Sequence, residues 1–257
     1  MATGFYTAAS GMLMQQRSLN VIANNMANAS TPGYKTERVV STTFEQELLM
    51  RQEGFQKTFI GTGDAVKIVE DVPTNFDESF VKTTDRPFDM AIMGEGYYMI
   101  KDSADRLYLT RNGHFDVDEE GYLVLPGMGR VQGSRGDIKV GGSDFTIDGE
   151  GEIYNSKDRR VGKLNIIGVT EGTQLEKFAN GMYQVPEGPE FEEIGDVPGI
   201  YEMRTFTIKQ GALENSNTNF NREMALLIET QRAFQSCSKA LMMVDEIEQK
   251  AANIGSL

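Results

Sequence analysis

Between Gly4 and Asn28 the chain reads GFYTAASGMLMQQRSLNVIANNMAN, and the spacing inside this stretch decides the fold. Phe5, Met12, Leu19 and Met26 recur every seven residues, and Ala8, Ala9, Ile22 and Ala23 fill the half-heptad positions between them. A seven-residue apolar repeat is the signature of a helix with a coiled-coil seam. The helix must end where Ser30-Thr31-Pro32-Gly33 begins, because proline disfavours helical geometry in the residue before it and has no N–H to continue the ladder. The far end mirrors this pattern. Beyond Asn221, the residues Met224, Leu227, Phe234 and Leu241 form a stripe that Val244, Ile247 and Ala251 continue in slightly shifted phase. A second amphipathic helix therefore closes the chain. Both seams are read as interrupted by glutamine, Gln15 or Gln16 in the first and Gln231 in the second, and a polar residue in such a seam fixes register.

Inward from these helices the pattern changes to short runs bounded by glycine. The segments 65–72, 90–101, 106–111, 121–125, 144–147, 151–154, 161–169 and 203–208 read as strands and hairpins. Alternation on both sides of Glu120-Gly121, from Phe115 to Val124, is a hairpin signal. The fold class is α+β, a mainly β body with N- and C-terminal helices that form a coiled-coil-type domain on assembly. The expected domains are residues 1–35 with 210–257 for the helical part, 36–87 for an extended linking segment, and 88–209 for the β-rich part.

The composition removes several function classes. The chain has 257 residues, enough for a sizeable core, with a formal charge of −13 from 25 basic and 38 acidic side chains. Such a balance repels phosphate backbones and anionic lipid, so nucleic acid is not expected as a partner. Residues 1–6 lack a basic or apolar leader, and eighteen apolar residues never run together. Neither a cleaved secretory signal nor membrane insertion is expected, so export would need another route. The single cysteine, Cys237, falls in the second helix beside Phe234 and Leu241, where a small buried apolar role is the ordinary reading.

Catalytic and metal chemistry find little footing. The one histidine, His114, falls in a strand, and no G-x-S-x-G surrounds any serine. Asp116, Asp118, Glu120 and Gly121 copy the opening of a calcium loop, but the twelfth position is Gly127, which has no carboxylate, so a hairpin turn is the better reading. Arg135-Gly136-Asp137 and Gly61-Thr62-Gly63 read as turns, and the acidic stretch 187–196 as a solvated surface loop. No catalytic residue, metal ligand or cofactor is assigned. Asn20, Asn24 and Asn28 share one face of the first helix and could make amide contacts between copies, while Asn215, Asn217, Asn219 and Asn221 precede the second, where capping and turns compete for them.

Three sets of motifs resemble the flagellar rod and hook family of axial proteins. They are Ser10-Gly11-Met12 through Gln16 with Ala23-Asn24-Asn25-Met26-Ala27-Asn28 and Thr31-Pro32-Gly33-Tyr34-Lys35; Asp89 through Tyr98 with Tyr108 through Phe115; and Gln210 through Asn217 with Glu223, Gln231-Arg232-Ala233-Phe234 and Lys239. The short central part resembles the rod members more than the hook subunit, and the stretch up to Gly61-Thr62-Gly63 favours the distal-rod type over the proximal. The resemblance implies a non-enzymatic subunit exported through the flagellar export apparatus to the basal body, outside the cytoplasmic membrane. There it would polymerise with copies of itself into a helical tube that transmits torque and encloses an export channel, touching other rod and hook proteins and the basal-body rings. A hook-type axial protein and an adhesin-like binding module with an intramolecular helical stalk are the alternatives. The residues expected to carry assembly are Phe5, Met12, Leu19, Asn24, Asn25, Met26, Asn28, Leu227, Gln231, Phe234 and Leu241. Each stripe is too narrow to stabilise a lone helix, so the stripes must pair with each other or with those of neighbouring copies, and the second option is the expectation.

Overall fold

The computed structural model describes residues 2–43, 50–53, 56–59, 67–142, 144–170, 173, 175–178, 181–184 and 198–255. The segments Gly61-Thr62-Gly63 and 187–196 lie outside them. The chain divides into two compact units, one made of Met1–Ala27, Thr36–Phe76 and Thr218–Leu257, the other of Asn28–Lys35 and Asp77–Asn217.

The first unit is built on two long helices, α1 (Ala2–Ala27) and α2 (Phe220–Gly255). Asn219 starts α2: its side-chain oxygen accepts the backbone N–H of Arg222 at 3.1 Å, satisfying one of the donors a helix leaves open at its first turn. Glu223 follows in that turn, where a carboxylate favours the positive end of the helix dipole. The helices pack against each other. A Cβ placed on Gly11 would lie 3.4 Å from Cys237 Sγ, and Asn25 Nδ2 lies 3.4 Å from Glu223 Oε2. Position therefore advances along α1 as it recedes along α2, and the pair is antiparallel.

The heptad reading gives the inward face. On α1 the positions Ala8, Met12, Gln15, Leu19, Ile22 and Met26 are buried or half-buried, and on α2 Leu227, Thr230, Phe234, Cys237, Leu241 and Val244 are half-buried. Two assignments need correction. The stripes were expected to wait for neighbouring copies, but they meet within one chain, which removes apolar surface from water without any partner. Gln231 does not interrupt the second seam. It is exposed, and Thr230 holds the inward position, because a residue four beyond Leu227 and one three beyond it flank the seam on opposite sides and the helix turns the smaller one in. The same unit carries two antiparallel ribbons, Val40–Thr43 with Lys67–Asp71 and Met50–Glu53 with Gln56–Phe59.

The second unit is the β body. Its main sheet runs through the strands Glu176–Lys177, Met182–Gln184, Leu107–Thr110, Tyr97–Lys101, Gly129–Gly133, Leu123–Leu125 and Asp116–Val117, with Ile166–Val169, Ile200–Glu202 and Gly136–Asp137 attached to it. A three-stranded sheet of Phe145–Ile147, Glu152–Asn155 and Arg160–Lys163 accompanies two ribbons, Met90–Met93 with Thr207–Gln210 and Val81–Thr83 with Ala212–Glu214. The named ladders are antiparallel, as short strands joined by tight turns require.

Two expected strands are subdivided and a third is displaced. The run 90–101 breaks at Gly94 and Gly96, whose φ angles of +91° and +111° belong to glycine, and its halves join different sheets. The run 161–169 breaks at Leu164-Asn165, and in 203–208 only Thr207 onward is strand. The hairpin at Gly121 forms as read, with Leu123 opposite Val117.

Tyr98, Ile100, Phe115, Leu123, Val131, Ile153, Leu164 and Ile166 fill one core, with the Tyr98 and Phe115 rings edge to face at 5.0 Å. Met90 is pressed against Gly113, where any side chain would collide with the Met90 carbonyl. Phe115→Ala should therefore remove about 3–5 kcal/mol from the stability of the body. Urea unfolding followed by tyrosine fluorescence measures this, and a loss below about 1 kcal/mol would mean that the ring is not a core element.

Candidate functional site

The Gly33-Tyr34-Lys35 segment that follows α1 belongs to the β body and is deeply buried there. Gly33, at φ +68°, lies so close to Arg111 that a Cβ would strike the Arg111 backbone, and its N–H donates to the Glu214 carbonyl at 2.8 Å. The Tyr34 ring receives the Lys177 ammonium at 4.2 Å from its centroid. Lys35 is only 1% exposed, and its Nζ donates to Glu214 Oε1 at 2.7 Å and to the Asp77 carbonyl at 2.8 Å.

Glu214 gathers further partners. Its Oε2 lies 3.5 Å from Arg111 Nη1, and its Oε1 accepts the Ser79 backbone N–H at 3.3 Å. Arg111 donates from Nη2 to the Gly94 carbonyl at 2.5 Å and stands over the Tyr97 ring at 5.6 Å from the centroid. Burial pushes the Tyr97 phenol up to about 12 against the opposing pull of Arg111, and burial likewise raises Tyr98. One carboxylate thus holds two cations in a site closed to solvent, where no member could stand alone. These residues come from the Gly-Tyr-Lys motif, the Leu-Thr-Arg motif and the Ala-Leu-Glu motif. Sequence reading quoted all three motifs without assigning the charges a role. The available signal was a charge of each sign inside segments otherwise rich in glycine and large apolar residues.

A second polar junction sits within the helical unit. Asn25 is 2% exposed, donates to the Glu37 carbonyl at 2.9 Å, accepts the Glu37 N–H at 3.1 Å and reaches Glu223. Its amide is spent inside the chain rather than offered to another copy. Just after α1, the half-buried Asn28 makes a local turn contact, its side-chain oxygen accepting the Thr31 hydroxyl at 3.2 Å. Asn24 remains exposed, and with Asn20, Gln16, Arg17, Leu13, Val21, Glu37 and Val72 it lines an open groove of about 570 Å³ in this unit.

With the heptad seam turned inward, a second set of large apolar side chains remains in water. On α1 these are Phe5, Tyr6 and Leu13, and on α2 Phe220, Met224, Ile228, Met242, Met243 and Ile247, each between 45% and 64% exposed. Met224 and Met242 are separated by five whole helical turns and so share one line along α2. The sequence pattern put Met224 and Ile247 on the seam with Leu227 and Phe234, but both are exposed, because the seam turns Leu227, Thr230, Phe234, Cys237, Leu241 and Val244 inward instead. Of the residues expected to carry assembly, Phe5, Asn24 and Gln231 are exposed, while Met12, Leu19, Met26, Leu227, Phe234 and Leu241 form the half-buried seam.

The turn that resembles a calcium loop is held by other means. Asp118 Oδ1 accepts the N–H groups of Glu120 and Tyr122, and Arg130 bonds Asp118 at 3.1 Å and Glu120 at 2.6 Å. The Tyr122 N–H above all holds the Asp118 carboxyl below its usual range; burial opposes it, and Arg130 and the Glu120 N–H add to the lowering. His114 Nδ1 lies 2.9 Å from Asp89 Oδ1, and Arg86 Nη1 lies 3.0 Å from its Nε2, so both ring nitrogens are occupied.

Comparison with known proteins draws on the same segments. Residues 5–35 match the family model described as flagella basal body rod protein. Residues 91–155 match the flagellar hook protein FlgE/F/G D1 domain, and residues 209–254 match the flagellar basal body rod FlgEFG protein C-terminal model. Among curated relatives, the flagellar basal-body rod protein FlgG of Bacillus subtilis is 29% identical over 99% of both chains. The flagellar hook-basal body complex protein FlhO of the same organism is 26% identical over 98% of each. The flagellar basal-body rod protein FlgF of Caulobacter vibrioides is 28% identical over 98% of this chain and 97% of its own. Lys35, Arg111 and Glu214 fall one in each of the three matched segments.

Glu214→Gln should cost about 3–5 kcal/mol of body stability, because it strands two buried cations, and more than Lys35→Met, which leaves the carboxylate paired with Arg111. Parallel urea titrations of the two variants decide the order, and equal losses would show that the charges act only as packing.

Proposed function

The chain belongs to the flagellar rod and hook protein family and is a structural rod subunit of the bacterial flagellar basal body, and we propose that it polymerises there through the exposed apolar face of its antiparallel helix pair. The observation that carries this reading is the stripe on α2 left in water after the seam has closed. Six large side chains from Phe220 to Ile247, with Phe5, Tyr6 and Leu13 of α1, exceed what an isolated soluble helix pair leaves open, and apolar surface of this kind marks an interaction site. Met12, Leu19, Met26, Leu227, Phe234 and Leu241 hold the pair that presents the face, and Asn24, with Gln231 on the exposed side of α2, adds hydrogen-bonding capacity beside it.

In this reading neighbouring copies add end to end and side by side about an axis, the heterologous contact that generates an open helical array rather than a closed ring. The helix pairs stack around a channel, the assembled tube carries torque, and the chain reaches its site through the flagellar export apparatus. The distal-rod type is favoured by the relatives named FlgG, of which the Bacillus subtilis protein is 29% identical over 99% of both chains, with a FlgF relative close behind. The adhesin-like alternative accounts for an intramolecular stalk but leaves the second stripe without a purpose.

Met224→Glu combined with Ile228→Glu should leave helix content and the β body unchanged while abolishing polymerisation and motility in a complemented deletion strain. Leu19→Ala or Leu241→Ala, on the seam, should lower helix content and assembly together, by about 1–3 kcal/mol for half-buried leucines. Circular dichroism with electron microscopy of basal bodies reads both effects. Normal rods from the double glutamate variant would rule out the α2 stripe as the contact surface.

A further inference from the structure

The exposed stripe is rich in one chemically reactive side chain. The chain has 14 methionines and no tryptophan, and the described methionines range from buried, through half-buried at Met12, Met14, Met26, Met128 and Met203, to exposed. Met90, Met99 and Met182 are buried in the β body at 8% exposure or less, whereas Met224, Met242 and Met243 on α2 are 49%, 57% and 58% exposed. Met93, on a strand of the body, is exposed to a similar degree at 46%. Thioether oxidation follows accessibility, so these sulfurs differ in reactivity by position rather than by chemistry.

We infer that Met224, Met242 and Met243 form an oxidation site for peroxide-class oxidants and that their sulfoxides disable the assembly face. The inference rests on the assembly reading above. In the step itself hydrogen peroxide transfers one oxygen to the thioether sulfur. An S–O bond forms as the O–O bond breaks, the sulfur gives up two electrons, and the remaining oxygen leaves as water. The product replaces a soft apolar group with a strong hydrogen-bond acceptor. In the free chain water satisfies that oxygen. Packed against a neighbour's apolar side chains it has no donor, and an unpaired buried polar group opposes association. The effect falls on the unassembled chain, since assembly would cover the same sulfurs, and reduction of the sulfoxide restores the original surface.

The test treats the full-length chain with hydrogen peroxide, maps sulfoxides by peptide mass spectrometry over time, and follows self-association by sedimentation. Met224, Met242 and Met243 should oxidise roughly tenfold or more faster than Met90, Met99 and Met182. Association should fall in step with their oxidation and recover after treatment with methionine sulfoxide reductases. The Met93→Leu variant should lose association under peroxide as the unmodified chain does, because Met93 is on the β body. Association that survives full oxidation of the three α2 methionines, or a loss that the reductases do not reverse, overturns the inference. So does oxidation of the three at the rate of the buried set. If the untreated chain never self-associates, the assembly reading fails instead, and the order of oxidation still decides whether the site exists.

Discussion

A single buried carboxylate, Glu214, organises the body of this protein. An ammonium or guanidinium taken out of water loses several kcal/mol of hydration, and only a close counter-charge with further hydrogen bonds offsets that loss. Glu214 supplies both Lys35 and Arg111 with that counter-charge, and the Asp77 and Gly94 carbonyls each take one further donor. Because the charges cannot tolerate a vacancy, the three segments that bear them must arrive together. Packing of apolar surface alone would accept many arrangements of such short strands; the charge cluster accepts one. Lys35, Asp77 and Asn217 all stand where the chain passes from one unit to the other, and Asn217 also bonds the Tyr34 carbonyl.

The helices solve a different problem. A two-helix pair buries one side of each partner, so every residue of its seam is only partly removed from water. Half-burial of Leu19, Leu227, Phe234 and Leu241 is the geometric limit of such a pair, not a defect in packing. The second stripe of α2 extends the apolar arc beyond the width one partner can cover. A helix pair of this kind stands between a marginal monomer and a well-buried polymer. In the proposed polymer, added copies would bury both the second stripe and the edges of the first seam, so that each contact between copies would also tighten the fold within a copy.

These levels were unequally legible in the sequence. The seam could be read directly because four large apolar residues at sevenfold spacing have no other economical explanation, and the stop at Thr31-Pro32 follows from backbone chemistry. Gln231 was misplaced because spacing leaves the roll of a helix uncertain by about half a residue step, and only the partner fixes it. The strands were located but merged, since Gly94 and Gly96 look like ordinary turn glycines until their positive φ angles show the chain changing sheets. The charge cluster left only a faint signal, charges set in glycine- and apolar-rich segments, for a deeper reason. Residues 35, 111 and 214 share no period and no motif, and each carries a side chain that usually lies on the surface. Only the tertiary fold makes them neighbours.

Asn25 shows the same logic inside the helical unit and explains why polar groups recur at its joints. A seam of methionine, leucine and alanine repeated every seven residues gains nearly the same burial if one helix slides by a heptad along the other. Nothing apolar in the pattern forbids the slip. Asn25 forbids it, because both ends of its amide are committed to the backbone of Glu37 while its nitrogen also faces the Glu223 carboxylate. A slide of α2 by seven would take the buried Glu223 carboxylate away from the Asn25 amide, and a buried carboxylate that loses a partner opposes the slip. Apolar surface thus supplies the attraction in each unit, and a few buried polar atoms choose which attractive arrangement is kept.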